Sequence, residues 1–186
     1  WRYYRNLFLL LAAGIGCLLA MQLAFDAPIH LLWATPLFYL AFLLWGAFSF
    51  THPRRMRYLR LAGPDISGSD YEKVLFPSRD GLTIFGWYKP GENHAAVILA
   101  HGLGSNGLGM EVHARQLRTA GYGVLLIDLR AHGSSDGDTS TYGVLEAYDV
   151  AGAADFLLKR GDVEAGKIGV LGISLGAQSA LRGALY

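Results

Sequence analysis

The chain has 186 residues, of which 52% are hydrophobic and 17% charged, and its net charge is +1. That balance excludes the strong positive field of a nucleic-acid binder, and it is too apolar for an ordinary soluble protein, which points to a membrane part. The single cysteine, Cys17, excludes an internal disulfide and a cysteine-built metal cage.

The apolar excess lies at the N-terminus. Leu7 to Phe25 is one uncharged apolar run and Pro28 to Phe50 is a second, separated only by Asp26-Ala27-Pro28. At about 1.5 Å per residue, each run is long enough for a helix to cross a hydrocarbon core of about 30 Å. So short a break forces the two helices antiparallel, which predicts a transmembrane hairpin over residues 1–50. Two uncharged runs in tandem argue against a cleaved signal peptide. Gly16 and Ala20 have the small-xxx-small spacing that lets helices approach closely. Arg2 and Arg5 precede the first run; Arg54, Arg55, Arg57 and Arg60 follow the second; the turn between carries none. The positive-inside rule then puts both termini, and everything after the hairpin, in the cytoplasm; in a bacterial cell the membrane would be the plasma membrane. The lipid bilayer is thus the first expected partner.

Residues 51–70 read as a basic linker, broken by His52-Pro53, Gly63-Pro64 and Ser67-Gly68-Ser69. From residue 71 to residue 186 the pattern is that of a folded domain. Tyr71–Phe76 and Leu82–Tyr88 are strand-like and flank an Asp80-Gly81 turn, which predicts a β-hairpin. Ala95–Ala100, Val124–Leu129 and Lys167–Leu171 are continuous apolar runs, as expected of strands buried on both faces. Helical patterns follow them over Met110–Ala120, Val144–Arg160 and Leu175–Tyr186. An antiparallel hairpin followed by three β–α units predicts an α/β fold with a parallel, doubly wound sheet.

One motif carries chemistry. Gly172-Ile173-Ser174-Leu175-Gly176 fits the G-x-S-x-G nucleophile elbow, and it follows a strand and opens a helix, as the elbow requires. The turn is so tight that the serine takes a strained backbone and glycine is needed at 172 and 176. Ser174 is therefore the candidate nucleophile. A serine hydroxyl needs a base to take its proton and N–H donors for the oxyanion it generates. The backbone N–H of Leu175 is one expected donor. The N–H of Leu103, in the loop His101-Gly102-Leu103-Gly104 after the third strand, is the other.

Three segments together, His101-Gly102, then Asp128-Leu129-Arg130-Ala131-His132-Gly133-Ser134-Ser135, then the elbow, resemble the α/β-hydrolase superfamily. Within it the pattern is similar to the serine aminopeptidase-like and monoacylglycerol-lipase-like hydrolases. The resemblance covers residues 71–186 and implies an oxyanion donor at Leu103, a site floor shaped by Asp128 through Ser135, and Ser174 as nucleophile. It assigns His101, Gly102, Asp128, His132, Gly172 and Gly176 to shaping the site. It implies an ester, thioester or amide substrate and no metal or organic cofactor. In that family the triad acid and histidine follow the serine in chain order. The chain starts at Trp1 and stops at Tyr186 soon after the elbow, so it reads as a piece of a longer protein. On its own it is expected to be inactive, with the strand at 167–171 left as an exposed sheet edge.

Two alternatives compete. Gly102-Leu103-Gly104-Ser105-Asn106-Gly107 is also a G-x-G-x-x-G fingerprint after a strand, with Asp128 where a ribose-binding acid would stand, as in a Rossmann-like dinucleotide-binding domain. Against it, the helix starts late, near Met110, and the elbow would have to be accidental. The other alternative is a membrane-tethered interaction module that keeps the fold without catalysis.

Overall fold

The computed structural model describes residues 31–55 and 71–186, together with Ala12, Gly14 and Gly16. Apart from those three residues, the first predicted transmembrane run, Leu7 to Phe25, and most of the linker lie outside the described residues. Contacts divide the chain into two compact units, Trp1–Ala47 and Phe48–Tyr186.

Helix α1, Leu31–Thr51, covers most of the second predicted membrane run, ends one residue beyond it, and contains no Asp, Glu, Lys or Arg. Among the described residues, no helix is long and apolar enough to cross a membrane.

The larger unit is built on one sheet of five strands in the order β1-β2-β4-β3-β5. Strands β1 (Glu72–Pro77) and β2 (Thr83–Lys89) form the expected antiparallel hairpin. Its turn is set by Gly81 at φ +93° and by the Ser78 hydroxyl, which accepts from Leu82 N–H at 2.9 Å. Strands β3 (Ala96–Ala100), β4 (Gly123–Ile127) and β5 (Ile168–Gly172) are mutually parallel, and β2 joins them antiparallel to β4. The sheet is therefore mixed, with its parallel part where the continuous apolar runs predicted it.

Alternation along the strands serves two cores. On one face Ile98, Ala100, Leu125 and Ile127 pack with Val150, Ala153 and Leu157 of helix α3 (Glu146–Leu158) and with Leu175 of helix α4 (Leu175–Gly183). On the other, Leu99, Val124 and Leu126 pack with Met110 and with Ala114 of helix α2 (Glu111–Thr119). Helices on both faces make the sheet doubly wound. Burying β3 and β4 on both sides explains why their sequence runs are continuously apolar instead of alternating. Among the described strands, β5 pairs on one side only, with β3, and its residues remain half-buried or exposed.

Candidate active site

The parallel strands β3, β4 and β5 end on the same edge of the sheet, and the three sequence motifs leave from those ends. This is where open α/β sheets place their ligands.

Ser174 stands between β5 and α4 with φ +53° and ψ −112°. An L-residue adopts such a backbone only when its surroundings force it, at a cost of order 1–3 kcal/mol. Here the neighbours do. A Cβ on Gly172 would lie 2.2 Å from the Gly176 carbonyl oxygen, and one on Gly176 would lie 2.1 Å from that of Ala100. The elbow thus closes on itself and presses against the end of β3, and Ser174 is exposed at its tip. Leu175 is the first residue of α4, so its N–H has no acceptor within the helix and sits at the positive end of the dipole.

The loop after β3 lies beside it. A Cβ on Gly102 would be 3.6 Å from Ser174 Cβ, ordinary van der Waals contact, so the loop and the elbow lie side by side. Residues 102–105 form a turn in which Ser105 N–H donates to Gly102 O at 3.2 Å and Gly104 has φ +71°. A positive φ at the third position is the mark of a type II turn. Leu103, next to Gly102, packs on the core through its side chain.

Two buried histidines tie this turn to the loop after β4. Nδ1 of His101 lies 2.7 Å from Gly102 O, and its Nε2 accepts from Leu129 N–H at 3.2 Å. Nδ1 of His132 lies 2.8 Å from Arg130 O, and its Nε2 accepts from Gly104 N–H at 3.1 Å. In both rings the Nε2 acceptor role fixes the proton on Nδ1, which donates to the carbonyl. The rings pack edge to face, 5.0 Å between centroids. Burial pushes His101 down to about 4 and moves His132 down as well, so both are neutral near pH 7. With both nitrogens of each ring engaged, neither histidine is free to serve Ser174 as a base.

Asp128, fully buried, accepts from Gly107 N–H and from Ser134 N–H, each at 2.7 Å. Gly133 must be glycine because a Cβ there would lie 1.9 Å from Asp128 Oδ2. The carboxylate therefore organises two loops. This answers the dinucleotide alternative: the N–H groups of Gly104, Ser105, Gly107 and Leu108, which a pyrophosphate would need, already have acceptors within the loops. The segment Gly107–Met110 is a 3₁₀ turn and α2 starts only at Glu111, so the last glycine lies outside the α-helix.

Arg130, within the Asp128–Ser135 motif, has partners that the motif does not announce. Its buried guanidinium donates to both oxygens of Asp80 in the hairpin turn and to Asp149 on α3, at 2.7 Å each. Arg130 holds the Asp80 carboxyl at about 2, whereas burial pushes Asp149 up to about 6 against the same pull. Glu146, also fully buried, accepts from Ser140 Oγ, Thr141 N–H, Thr141 Oγ1 and Gly143 N–H at 2.7–2.8 Å. Both acids are structural, as their positions at a helix start suggest. The sequence carried no cue to their partners, which lie on other elements.

Among the described residues, no cluster of three or more His, Cys, Asp or Glu side chains is arranged to hold a metal ion. A cleft of about 360 Å³ between Lys89–Glu92 and Arg115–Tyr122 lies at the opposite edge of the sheet, where the parallel strands begin, and is remote from Ser174.

Residues 97–186 match the alpha/beta hydrolase family. The fold is that of the α/β-hydrolase superfamily. Pf2001, an esterase of Pyrococcus furiosus, is similar in structure, with a TM-score of 0.65 and 30% identity over 71% of this chain and 52% of that one. An esterase of Exiguobacterium antarcticum, 23% identical with a TM-score of 0.51 over 61% of this chain and 40% of its own, shares the fold. Among curated proteins, the uncharacterized protein Rv2307c of Mycobacterium tuberculosis is 33% identical over 72% of this chain and 50% of its own length. YqkD of Bacillus subtilis, also named uncharacterized, is 35% identical over 59% of this chain and 37% of its own length. The chain spans about half or less of the curated relatives it matches. In this α/β-hydrolase fold Ser174, Leu175, Gly102 and Leu103 share one sheet edge, and His101, Asp128 and His132 are hydrogen-bonded into the loops that leave it.

Proposed function

We propose that the longer protein to which this chain belongs is a serine hydrolase that cleaves an ester, thioester or amide through an acyl-Ser174 intermediate. The observation that carries this reading is the strained backbone of Ser174, φ +53° and ψ −112°, at a glycine-flanked elbow beside the open N–H of Leu175. The esterase name of a structural neighbour at 30% identity supports it.

In this mechanism Ser174 Oγ attacks the substrate carbonyl carbon and passes its proton to a base. The tetrahedral oxyanion accepts hydrogen bonds from the N–H groups of Leu103 and Leu175. Collapse breaks the scissile bond, and the leaving alcohol, thiol or amine takes the proton. Water then attacks acyl-Ser174, releases the carboxylic acid and restores the hydroxyl. His101 and His132 are committed to the loops, so the base is assigned to a histidine that follows Ser174 in chain order, oriented by a carboxylate, as the family resemblance implies.

The hydrolase is anchored in a bilayer by the N-terminal apolar runs, with its catalytic unit in the cytoplasm. Support comes from α1, where Leu37, Phe38, Tyr39 and Leu40, four successive positions that circle the helix, are all at least half exposed. A helix apolar on every side needs a lipid or protein surround. Anchoring favours an acyl lipid as substrate over a soluble peptide or small ester.

The test is active-site labelling of the full-length protein with a fluorophosphonate. Wild type is labelled and Ser174→Ala is not; equal labelling of both rejects the nucleophile assignment. Absence of label on folded wild type favours a non-catalytic module on the same scaffold.

A further inference from the structure

We infer that His101 and His132 are a pair of positioning residues that fix the two peptide planes on either side of Leu103, and thereby aim its N–H at the oxyanion. The inference rests on the serine-hydrolase reading above and adds to it a role for two side chains that never touch substrate.

The argument is one of peptide geometry. In a trans peptide the carbonyl and the N–H of one plane point in opposite directions. The Gly102 carbonyl and the Leu103 N–H belong to the same plane. Gly102 O is held from one side by His101 Nδ1 at 2.7 Å and by Ser105 N–H at 3.2 Å. Holding that oxygen sends the Leu103 N–H the other way. The next plane, between Leu103 and Gly104, is the central peptide of the turn. Type I and type II turns differ by a flip of that plane, and the φ of +71° at Gly104 belongs to the type II form. His132 Nε2 accepts the Gly104 N–H at 3.1 Å and so holds the plane in the type II sense.

The rings are themselves held. Leu129 N–H donates to His101 Nε2, and His132 Nδ1 donates to Arg130 O. Arg130 is in turn clamped by Asp80 and Asp149. The turn that carries the oxyanion donor is thus braced to β4 and α3 through buried groups, and through the half-buried Asp80 to the β1–β2 hairpin turn. The charged and titratable groups acting on the pair are each other, Asp128, Glu146 and Arg55.

The two histidines meet the turn through different nitrogens, and this gives a test that simple packing does not mimic. The amide nitrogen of asparagine can stand in for Nδ1, and the amide oxygen of glutamine for Nε2. At position 101 the bond to the turn is made by Nδ1, so His101→Asn keeps it and His101→Gln loses it. At position 132 that bond is made by Nε2, so His132→Gln keeps it and His132→Asn loses it. In the full-length protein, assayed with a p-nitrophenyl ester, kcat is expected to fall about 10- to 100-fold in His101→Gln and His132→Asn with KM little changed, because the missing interaction is made mainly in the transition state. His101→Asn and His132→Gln stay within about threefold of wild type. The double variant His101→Asn/His132→Gln keeps both bonds to the turn and also stays active, which decides the matter should a damaging variant fail to fold. The same residue order at both positions, a change confined to KM, or an inactive but folded double variant overturns the inference. Fluorophosphonate labelling of wild-type Ser174 in the same experiment separates the two ideas: failure to label takes down the hydrolase reading and this inference with it, whereas labelling without the crossed pattern overturns the inference alone.

Discussion

Single residues in this protein are constrained by contacts of a few ångströms. Gly176 is the sharpest case. An alanine there would bring its Cβ to 2.1 Å from the Ala100 carbonyl oxygen and 2.8 Å from that of His101, both backbone atoms at the end of β3. Gly176→Ala is expected to destabilise the fold by about 3 kcal/mol or more and to abolish labelling of Ser174, as read by urea denaturation and fluorophosphonate reaction. His101 gives a second prediction, in pH. Its folded pKa is pushed down from 6.5 to about 4, so below pH 6.5 the unfolded chain binds a proton that the folded chain refuses. Stability is therefore lost as pH falls from 6.5 toward 4, by up to about 3 kcal/mol from this group. Asp149, raised to about 6, acts in the opposite sense over the range down to its ordinary 3.8, because there it is the folded state that holds the extra proton. The difference between wild type and His101→Asn in denaturation curves at pH 7, 6, 5 and 4 isolates the histidine. The wild type is expected to lose more stability than the variant as pH falls; parallel losses would reject the assignment.

At the scale of elements, buried acids join pieces that are distant in sequence. Glu146, near the start of α3, gathers four donors from residues 140–143 and so ties that loop to the helix. The loop in turn leans on α4, since a Cβ on Gly143 would lie 2.7 Å from Gln178 Cβ. Glu146→Gln replaces an acceptor oxygen with an NH₂ group that faces donors. A loss of about 2–3 kcal/mol is expected in urea denaturation, with faster amide exchange over residues 140–143. The boundaries of the elements were legible to within two or three residues because apolar runs end where the chain leaves the core. The pairing of Arg130 with Asp80 and Asp149 was not legible. A D-x-R-x-H-G segment gives no sign of which acids will face it until the hairpin turn and α3 are packed against β4.

For the molecule as a whole, the N-terminal segment and the catalytic unit belong to different solvents in the proposed function. The larger compact unit begins at Phe48, before the sequence boundary at residue 51. Its first residues are bound into it: Ser140 N–H donates to Thr51 O at 2.7 Å, and Arg55 donates to Ser135 O at 2.5 Å and to Gly137 O. Part of the basic segment read as linker is therefore fixed to the loop that continues from the site floor. The expected outcome for the full-length protein is resistance to alkaline extraction from membranes, with reporter fusions after Arg60 active only on the cytoplasmic side. Release at high pH would sink the anchor, and activity on the far side would reverse its orientation.

The sequence by itself determined the parallel strands, the helices between them and the strained elbow at Ser174, because continuous apolar runs and glycine spacing are local properties that survive whatever packs around them. It also pointed to the loop beside the serine. The tertiary structure decided what the histidines and acids of that loop do. From sequence His101, Asp128 and His132 were expected only to shape the site, with Asp128 also open to a ribose-binding role; burial and the particular backbone groups within reach decide that they do so by holding loops. A side chain's role in a site depends on which partners remain for it once the chain has closed, and only the fold supplies that list.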